Sequence, residues 1–189
     1  MKCEPAECSD GELAALTLAG RHDAFAEIMR RHREAIYRLI RGHIGNPEDA
    51  LDLVQDCFTS AFRRLDSYDQ NRSMRAWLSQ IAINKCRDWG RRRSVRRFLL
   101  LSQASDAATQ VADPAPQAYV EVADRQELER LWDAVASLPR TLKEPLILRT
   151  IEGLPQSEVA QILRISEKAV ETRLYRARRR LAALRDPHG

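Results

Sequence analysis

A chain of 189 residues is long enough for one or two domains, each with a modest core. Apolar residues make up 44% and charged residues 31%, with a formal net charge of +4, a globular composition on the charged side of average. The opening MKCEPAECSDGE lacks the apolar run of a signal peptide and no stretch reaches membrane-spanning length, so a cytoplasmic protein without membrane insertion is expected.

Nearly every segment reads as helix. Ser9 and Glu12 have the spacing of a capping box ahead of Leu13, Leu16 and Leu18, and Gly20 closes that segment. Phe25, Ile28, Met29, Ile36, Tyr37 and Ile40 follow the helical period. Asn46-Pro47 supplies a cap with proline at the first helical position. Leu51, Val54, Phe58, Ala61, Phe62 and Leu65 then mark one apolar stripe. The stretch 66–73, DSYDQNRS, is polar and turn-like, and Ser73 can cap a long helix bearing Trp77, Leu78, Ile81, Ala82 and Trp89.

Residues 102–124 contain no Lys or Arg and are rich in Ala, Ser, Asp and Pro, the composition of a flexible, slightly acidic linker. Beyond it, Leu128, Leu131, Trp132, Val135 and Leu138 share a helical face that Pro139 stops. Thr141 and Glu144 again have capping-box spacing, followed by Leu146, Ile147, Leu148 and Ile151 up to Gly153. No strand pattern persists, so the expected fold is all-α: two small helical domains joined by a flexible linker.

The last two segments read as a helix-turn-helix: Gln156–Leu163, the turn at 164–166, and a helix from Glu167 to Leu184 capped by Ser166. Ala160 is small where the two helices would cross. Val170, Leu174, Ala177, Leu181 and Leu184 form a narrow stripe for burial, which turns Lys168, Glu171, Thr172, Arg173, Tyr175, Arg176, Arg179 and Arg180 outward. Residues 164–185 hold eight basic residues against Glu167 and Glu171, a local charge of +6 that exceeds the whole chain's. Arginines near a helix C-terminus complement the dipole by roughly 0.3–1 kcal/mol each, which accounts for one or two of them. A whole basic face on the second helix of a helix-turn-helix points to DNA. The turn carries Arg164 where glycine is common, so a left-handed conformation there would cost about 1 kcal/mol or somewhat more.

A second basic element, KCRDWGRRRSVRR at 85–97, has seven basic residues and one acid. It reads either as a solvated helix end beside core tryptophans, Trp77 and Trp89, or as a groove that tracks a nucleic-acid backbone. Two basic sites on separate domains suit two DNA segments held at once. Catalytic patterns are missing: there is no Ser-His-Asp set, HExxH, P-loop or paired-carboxylate arrangement, so neither an enzyme nor a cofactor is expected. Cys3, Cys8, Cys57 and Cys86 form no CxxC pair and are expected as reduced thiols, a zinc site with Cys3 and Cys8 being the weaker alternative. His22, His32, His43 and His188 lack ligand-like companions, so surface or packing roles are expected.

The stretches DAFAEIMRRHREAIYRLI, NPEDALDLVQDCFTSAFRRLDSY, RAWLSQIAINKCRDWGRRR and LPRTLKEPLILRTIEGLPQSEVAQILRISEKAVETRLYRARRRL, in this order, resemble the extracytoplasmic-function (ECF) sigma factors of bacterial RNA polymerase, in the sigma-70 family. They cover most of residues 23–97 and 126–182. The resemblance implies a sigma region 2 domain at 9–98, a linker at 99–125 and a region 4 domain at 126–185. It implies that Asp52, Gln55 and Asp56 contact the clamp coiled coil in the largest subunit of core polymerase. By themselves these three read as a solvated helix face. The loop SYDQNRSMRAW (67–77) and the helix AINKCRDW (82–89) match the part that melts and reads the −10 promoter element, with Asp69, Asn71, Arg72, Asn84 and Lys85 as candidates for contact with a flipped base and its neighbours. The helix-turn-helix matches the −35 reader: Lys168, Thr172, Arg173 and Arg176 would face bases or flanking phosphates, and Arg178, Arg179 and Arg180 the backbone. An anti-sigma factor is the implied further partner.

Overall fold

The structure, a computed structural model, describes residues 4–103 and 121–185. Most of the predicted linker, with Cys3 and His188, lies outside the described residues. Eight α-helices account for most of what is described, with no strand among those residues.

Helix α1 (Asp10–Leu18) carries the predicted capping box: Ser9 Oγ accepts from the Glu12 N–H, and Glu12 accepts from the Ser9 N–H at 2.7 Å. Helix α2 (His22–Ile44) is the central element of the first lobe and ends at Gly45, whose φ of 83° supplies the left-handed cap. Helix α3 (Pro47–Arg63) starts where predicted, with Asn46 Oδ1 accepting from the Asp49 N–H. Helix α4 (Met74–Gln103) starts after Ser73, whose hydroxyl accepts from the Ala76 N–H. These helices close on Leu13, Ile28, Ile36, Leu39, Ile40, Phe58, Leu78 and Ile83, all buried.

The predicted α3 stripe needs one correction. Val54, Phe58, Ala61 and Leu65 are buried, but Leu51 and Phe62 remain 46% and 42% exposed. The inward face of α3 runs instead through Ala50, Leu53, Val54, Cys57, Phe58 and Ala61. Phe62 stands at the rim, edge-on to Phe25 with ring centroids 5.0 Å apart.

The second lobe holds α5 (Glu121–Ser137), α6 (Arg140–Leu146), α7 (Gln156–Leu163) and α8 (Glu167–Arg185). Val135 on α5 and Leu138 just past its end are buried whereas Leu128 and Leu131 are about half exposed, so the predicted apolar face is covered only towards its C-terminus. The predicted Thr141–Glu144 capping box does not form. Helix α6 starts two residues earlier, with Pro139 at the N-cap and no side-chain cap, and Glu144 is buried against the first lobe. Pro145 has no N–H to donate, and past it the chain widens into a π turn at Ile147–Ile151, closed by Glu152 N–H to Ile147 O.

Cys57 and Cys86 are free, as expected, and buried. Burial pushes the Cys57 thiol up to about 12. Cys8 departs from the expectation of reduced thiols and is disulfide-bonded, just after the tight turn at Pro5–Glu7. No cluster of metal-ligating side chains occurs among the described residues. None of the helices among them is long and apolar enough to cross a membrane.

Candidate nucleic-acid interface

The helix-turn-helix is built from α7 and α8. Arg164 ends α7 at φ 56°, ψ 50°, the left-handed conformation that the sequence made costly for a non-glycine residue. Its N–H and that of Ile165 close the turn onto Gln161 and Ala160 carbonyls at 3.2 and 3.0 Å. Ser166 Oγ accepts from the Ala169 N–H at 3.1 Å, capping α8, and Gln156 Nε2 donates to the Glu167 carbonyl, tying the two helices together. Val170, Leu174 and Ala177 are buried and Leu181 packs partly against the core, while Leu184, expected to join them, is exposed.

That burial leaves Lys168, Thr172, Arg176, Arg178, Arg179 and Arg180 exposed on α8, with Arg173 half-buried at the edge of the seam. Lys168 pairs with Glu171 at 3.1 Å, the Thr172 hydroxyl donates to the Lys168 carbonyl, and Arg179 lies over the Tyr175 ring. Arg173, Arg176, Arg178 and Arg180 have no acidic partner among the described residues. A face of unpaired guanidinium groups on an otherwise rigid helix is suited to phosphates and to guanine edges.

In the first lobe, Asp69, Asn71 and Arg72 sit together on the loop before α4, all exposed. Asp69 Oδ1 accepts from both the backbone N–H and the side-chain amide of Asn71, at 2.9 and 3.1 Å, an Asx turn that sets the loop's shape. Tyr68 donates to the Arg72 carbonyl at 2.8 Å and stacks at a tilt on Trp77, 5.3 Å between centroids. Asn84 is exposed and Lys85 half-buried on α4. Trp77 and Trp89 are both half-buried, so each packs on the core with one part open, and Arg93 lies over the Trp89 ring at 5.0 Å. On α3, Asp52, Gln55 and Asp56 are all exposed, on the side of the helix turned away from the core.

A further cluster, which no local sequence pattern marks, forms between the lobes. Arg87 on α4 grips Glu144 with a two-pronged bond, Nε to Oε1 at 2.8 Å and Nη2 to Oε2 at 2.6 Å. His43 Nε2 lies 3.4 Å from the same carboxylate, and Lys143 Nζ donates to the His43 carbonyl at 3.0 Å. Burial raises the Glu144 carboxyl, but the hydrogen bonds from Arg87 and His43 outweigh it and hold it at about 2. Burial lowers His43 below the usual imidazole range. A second pair joins Arg75 Nε to Glu152 Oε2 at 3.1 Å. Glu152 is 1% exposed and its Oε1 has no hydrogen-bond partner, and burial raises its carboxyl against the pull of Arg75. Arg41 also bonds Glu129, and Arg72 donates to Gln161 at 3.2 Å.

Two helical lobes, one presenting a basic helix-turn-helix and the other a polar loop ahead of a basic helix, define the class of helix-turn-helix DNA-binding proteins. Comparison with known proteins narrows this class. The family model "Sigma-70 region 2" matches residues 28–96 and "Sigma-70, region 4" matches residues 128–181. The chain is 40% identical to the RNA polymerase sigma factor CnrH of Cupriavidus metallidurans, over 95% of this chain and 96% of that one. It is 32% identical to the ECF RNA polymerase sigma factor SigM of Mycobacterium tuberculosis, over 94% and 85% of the respective chains. A solved structure of CnrH in complex with the cytosolic domain of CnrY superposes with a TM-score of 0.71 at 33% identity, covering 95% of this chain and 99% of that one. The chain belongs to the sigma-70 family, among its ECF sigma factors.

Proposed function

We propose that this alternative sigma factor binds core RNA polymerase and directs initiation at promoters with −35 and −10 elements. In this reading the domain at 9–98 docks on the clamp coiled coil of the largest subunit through Asp52, Gln55 and Asp56. Its loop and following helix capture bases of the opened −10 element through Asp69, Asn71, Arg72, Asn84 and Lys85. The domain at 126–185 reads −35 through Lys168, Thr172, Arg173 and Arg176, with Arg178, Arg179 and Arg180 on the backbone, and the linker at 99–125 lets the two readers act on separate segments. The protein works in the cytoplasm, catalyses no reaction itself, and is held inactive by an anti-sigma factor. That last point is supported by CnrH, which is described in complex with the cytosolic domain of CnrY.

The observation that carries this reading is the exposed basic face of α8, acid-free beyond Glu171, in the same chain as the exposed loop at 69–72. A simple duplex-binding repressor uses the first and has no need of the second. The test is run-off transcription with core polymerase on DNA from upstream of this protein's own gene. Discrete transcripts that need both elements are expected, with weak DNA binding by the protein alone. Tight, sequence-specific duplex binding without polymerase, and no transcript when polymerase is added, would replace this reading with that of a repressor.

A further inference from the structure

The loop assigned to the −10 element is supported from outside by the N-terminal end of the chain. Gly11, in the first turn of α1, lies against Gln70 of the loop: a Cβ at position 11 would stand 3.7 Å from Gln70 Cβ and 3.8 Å from its Cγ. Asp10, next to it, is close enough to Tyr68 for its charge, second to burial, to push the phenol up. Helix α1 also packs on the tight turn at Leu65–Ser67 that leads into the loop.

Two neighbouring side chains of α2 fix that first turn in place. Arg31 Nη1 donates to the Cys8 carbonyl at 2.8 Å and to Asp10 Oδ1 at 3.2 Å. Its Nη2 donates to the Pro5 and Ala6 carbonyls at 3.1 and 3.0 Å, and its Nε to Glu27 at 2.8 Å. All five N–H groups of the guanidinium are thereby used, four of them on residues 5–10. His32 Nε2 lies 2.8 Å from Asp10 Oδ2, so Asp10 is held through both oxygens. The bond with His32 is the main cause that keeps the Asp10 carboxyl below the usual carboxylate range.

Base capture needs such precision. Extruding a base costs a few kcal/mol, and a loop already in shape recovers more of that cost than one that must be ordered on binding. The Asp69–Asn71 and Tyr68–Arg72 bonds shape the loop internally. Gln70, exposed between them, takes its support from α1.

We propose that Asp10, Arg31 and His32 are positioning residues for −10 recognition: they lock the first turn of α1 against Gln70 and Tyr68, and so hold the loop ready for the extruded base. They act through the loop and not by touching DNA. This rests on the sigma-factor reading above.

The test uses the full chain with core polymerase on the promoter located by run-off transcription upstream of its own gene. That DNA carries 2-aminopurine in the non-template −10 strand, whose fluorescence rises as its base leaves the stack. Asp10→Ala is expected to slow the rise about tenfold, the worth of one or two hydrogen bonds, with affinity for core polymerase unchanged. Asp10→Asn keeps an oxygen for Arg31 and an amide that can donate to neutral His32, so it should recover most of the rate. Gly11→Ile leaves those hydrogen bonds in place. Its branched side chain has little freedom to turn away from Gln70, and isoleucine favours helix over glycine. Opening should therefore slow in this variant while its thermal midpoint holds or rises.

An Asp10→Asn protein as slow as Asp10→Ala would make the charge at position 10, and not its placement, the source of the effect. Normal opening by Gly11→Ile, or slowing that follows the thermal midpoint in every variant, would leave the N-terminal turn a purely structural part. Lost polymerase affinity would assign it to polymerase docking. Each of these outcomes overturns the proposal. Run-off transcription by the unaltered protein is read first: no transcript there removes the sigma reading and this inference with it, whereas transcripts from an unaltered protein whose variants open normally remove the positioning role alone.

Discussion

Gly42 on α2 faces the indole of Trp132 on α5 so closely that a Cβ at position 42 would stand 3.0 Å from Cζ3, with Ile147 Cδ1 at 3.4 Å. The two lobes meet at a residue with no side chain, and a rigid aromatic fills the space. Gly42→Leu should therefore drive Trp132 outward and wedge the lobes apart, at a packing cost of about 1–3 kcal/mol partly offset by the better helix propensity of leucine. Small-angle X-ray scattering should record a larger radius of gyration than for the unaltered protein. An unchanged radius would show that the indole moves aside without disturbing the contact.

The same interface should respond to pH through His43. Burial lowers its folded pKa below the unfolded value of about 6.5, so the unfolded chain binds the proton more readily. The neutral histidine then contributes stability that is complete above about pH 6.5 and is lost as the pH falls towards the folded value. Glu144 accepts from His43, while the charges of Lys143 and Arg87 nearby oppose protonation. Glu152 acts in the opposite sense: its raised pKa makes it a cost at neutral pH that is relieved on protonation. The His43 contribution is isolated by urea unfolding of the unaltered and His43→Gln proteins from pH 7 to pH 5. The stability advantage of the unaltered protein should shrink as the pH falls across that window. A constant difference would mean that His43 does not titrate there.

Local signals were legible in the sequence and distant ones were not. The caps at Ser9, Asn46, Ser73 and Ser166 were readable because each bond closes over three residues. The seam of α8 followed from its spacing, as did the exposed basic face that is its complement. Thr141 and Glu144 had capping-box spacing too, but Glu144 answers to Arg87, 57 residues away in sequence, and to His43, 101 away. Periodicity likewise marked Leu51 and Leu128 as apolar without saying whether anything covers them, and both are exposed. The exposure of Asp52, Gln55 and Asp56 followed from their helix face, but their expected partner came from family resemblance alone.

Arg164 is a place where sequence and backbone disagree. A non-glycine residue in the left-handed region costs about 1–2 kcal/mol, and glycine gives back part of that in greater freedom of the unfolded chain. Arg164→Gly should thus stabilise the second lobe by up to about 1 kcal/mol, read as a higher thermal midpoint. Because losing the exposed Arg164 side chain also removes one positive charge beside α8, duplex binding should weaken slightly in the same variant. A lower midpoint would mean that the arginine side chain contributes more than its backbone costs.

The proposed division of labour between the lobes makes the sharpest pair of expectations. Arg176→Ala removes an exposed guanidinium without an acidic partner from α8, so it should weaken −35 use by about 1–3 kcal/mol if it reads a base. If it holds a phosphate, it should lower the salt slope by about 0.9 instead. Arg173→Ala, at the edge of the seam, should add some loss of lobe stability to the same defect. Asp56→Ala on α3 should leave DNA affinity alone and weaken binding to core polymerase by about 1.5–3 kcal/mol, the range for a hydrogen bond to a charged group. Its side chain touches no part of the core, so its thermal midpoint should match that of the unaltered protein. Measuring polymerase affinity and promoter affinity for each variant separates the two roles. A variant at position 56 that binds polymerase normally, or one at 176 with normal promoter use at every salt concentration, would remove that residue from its assigned surface.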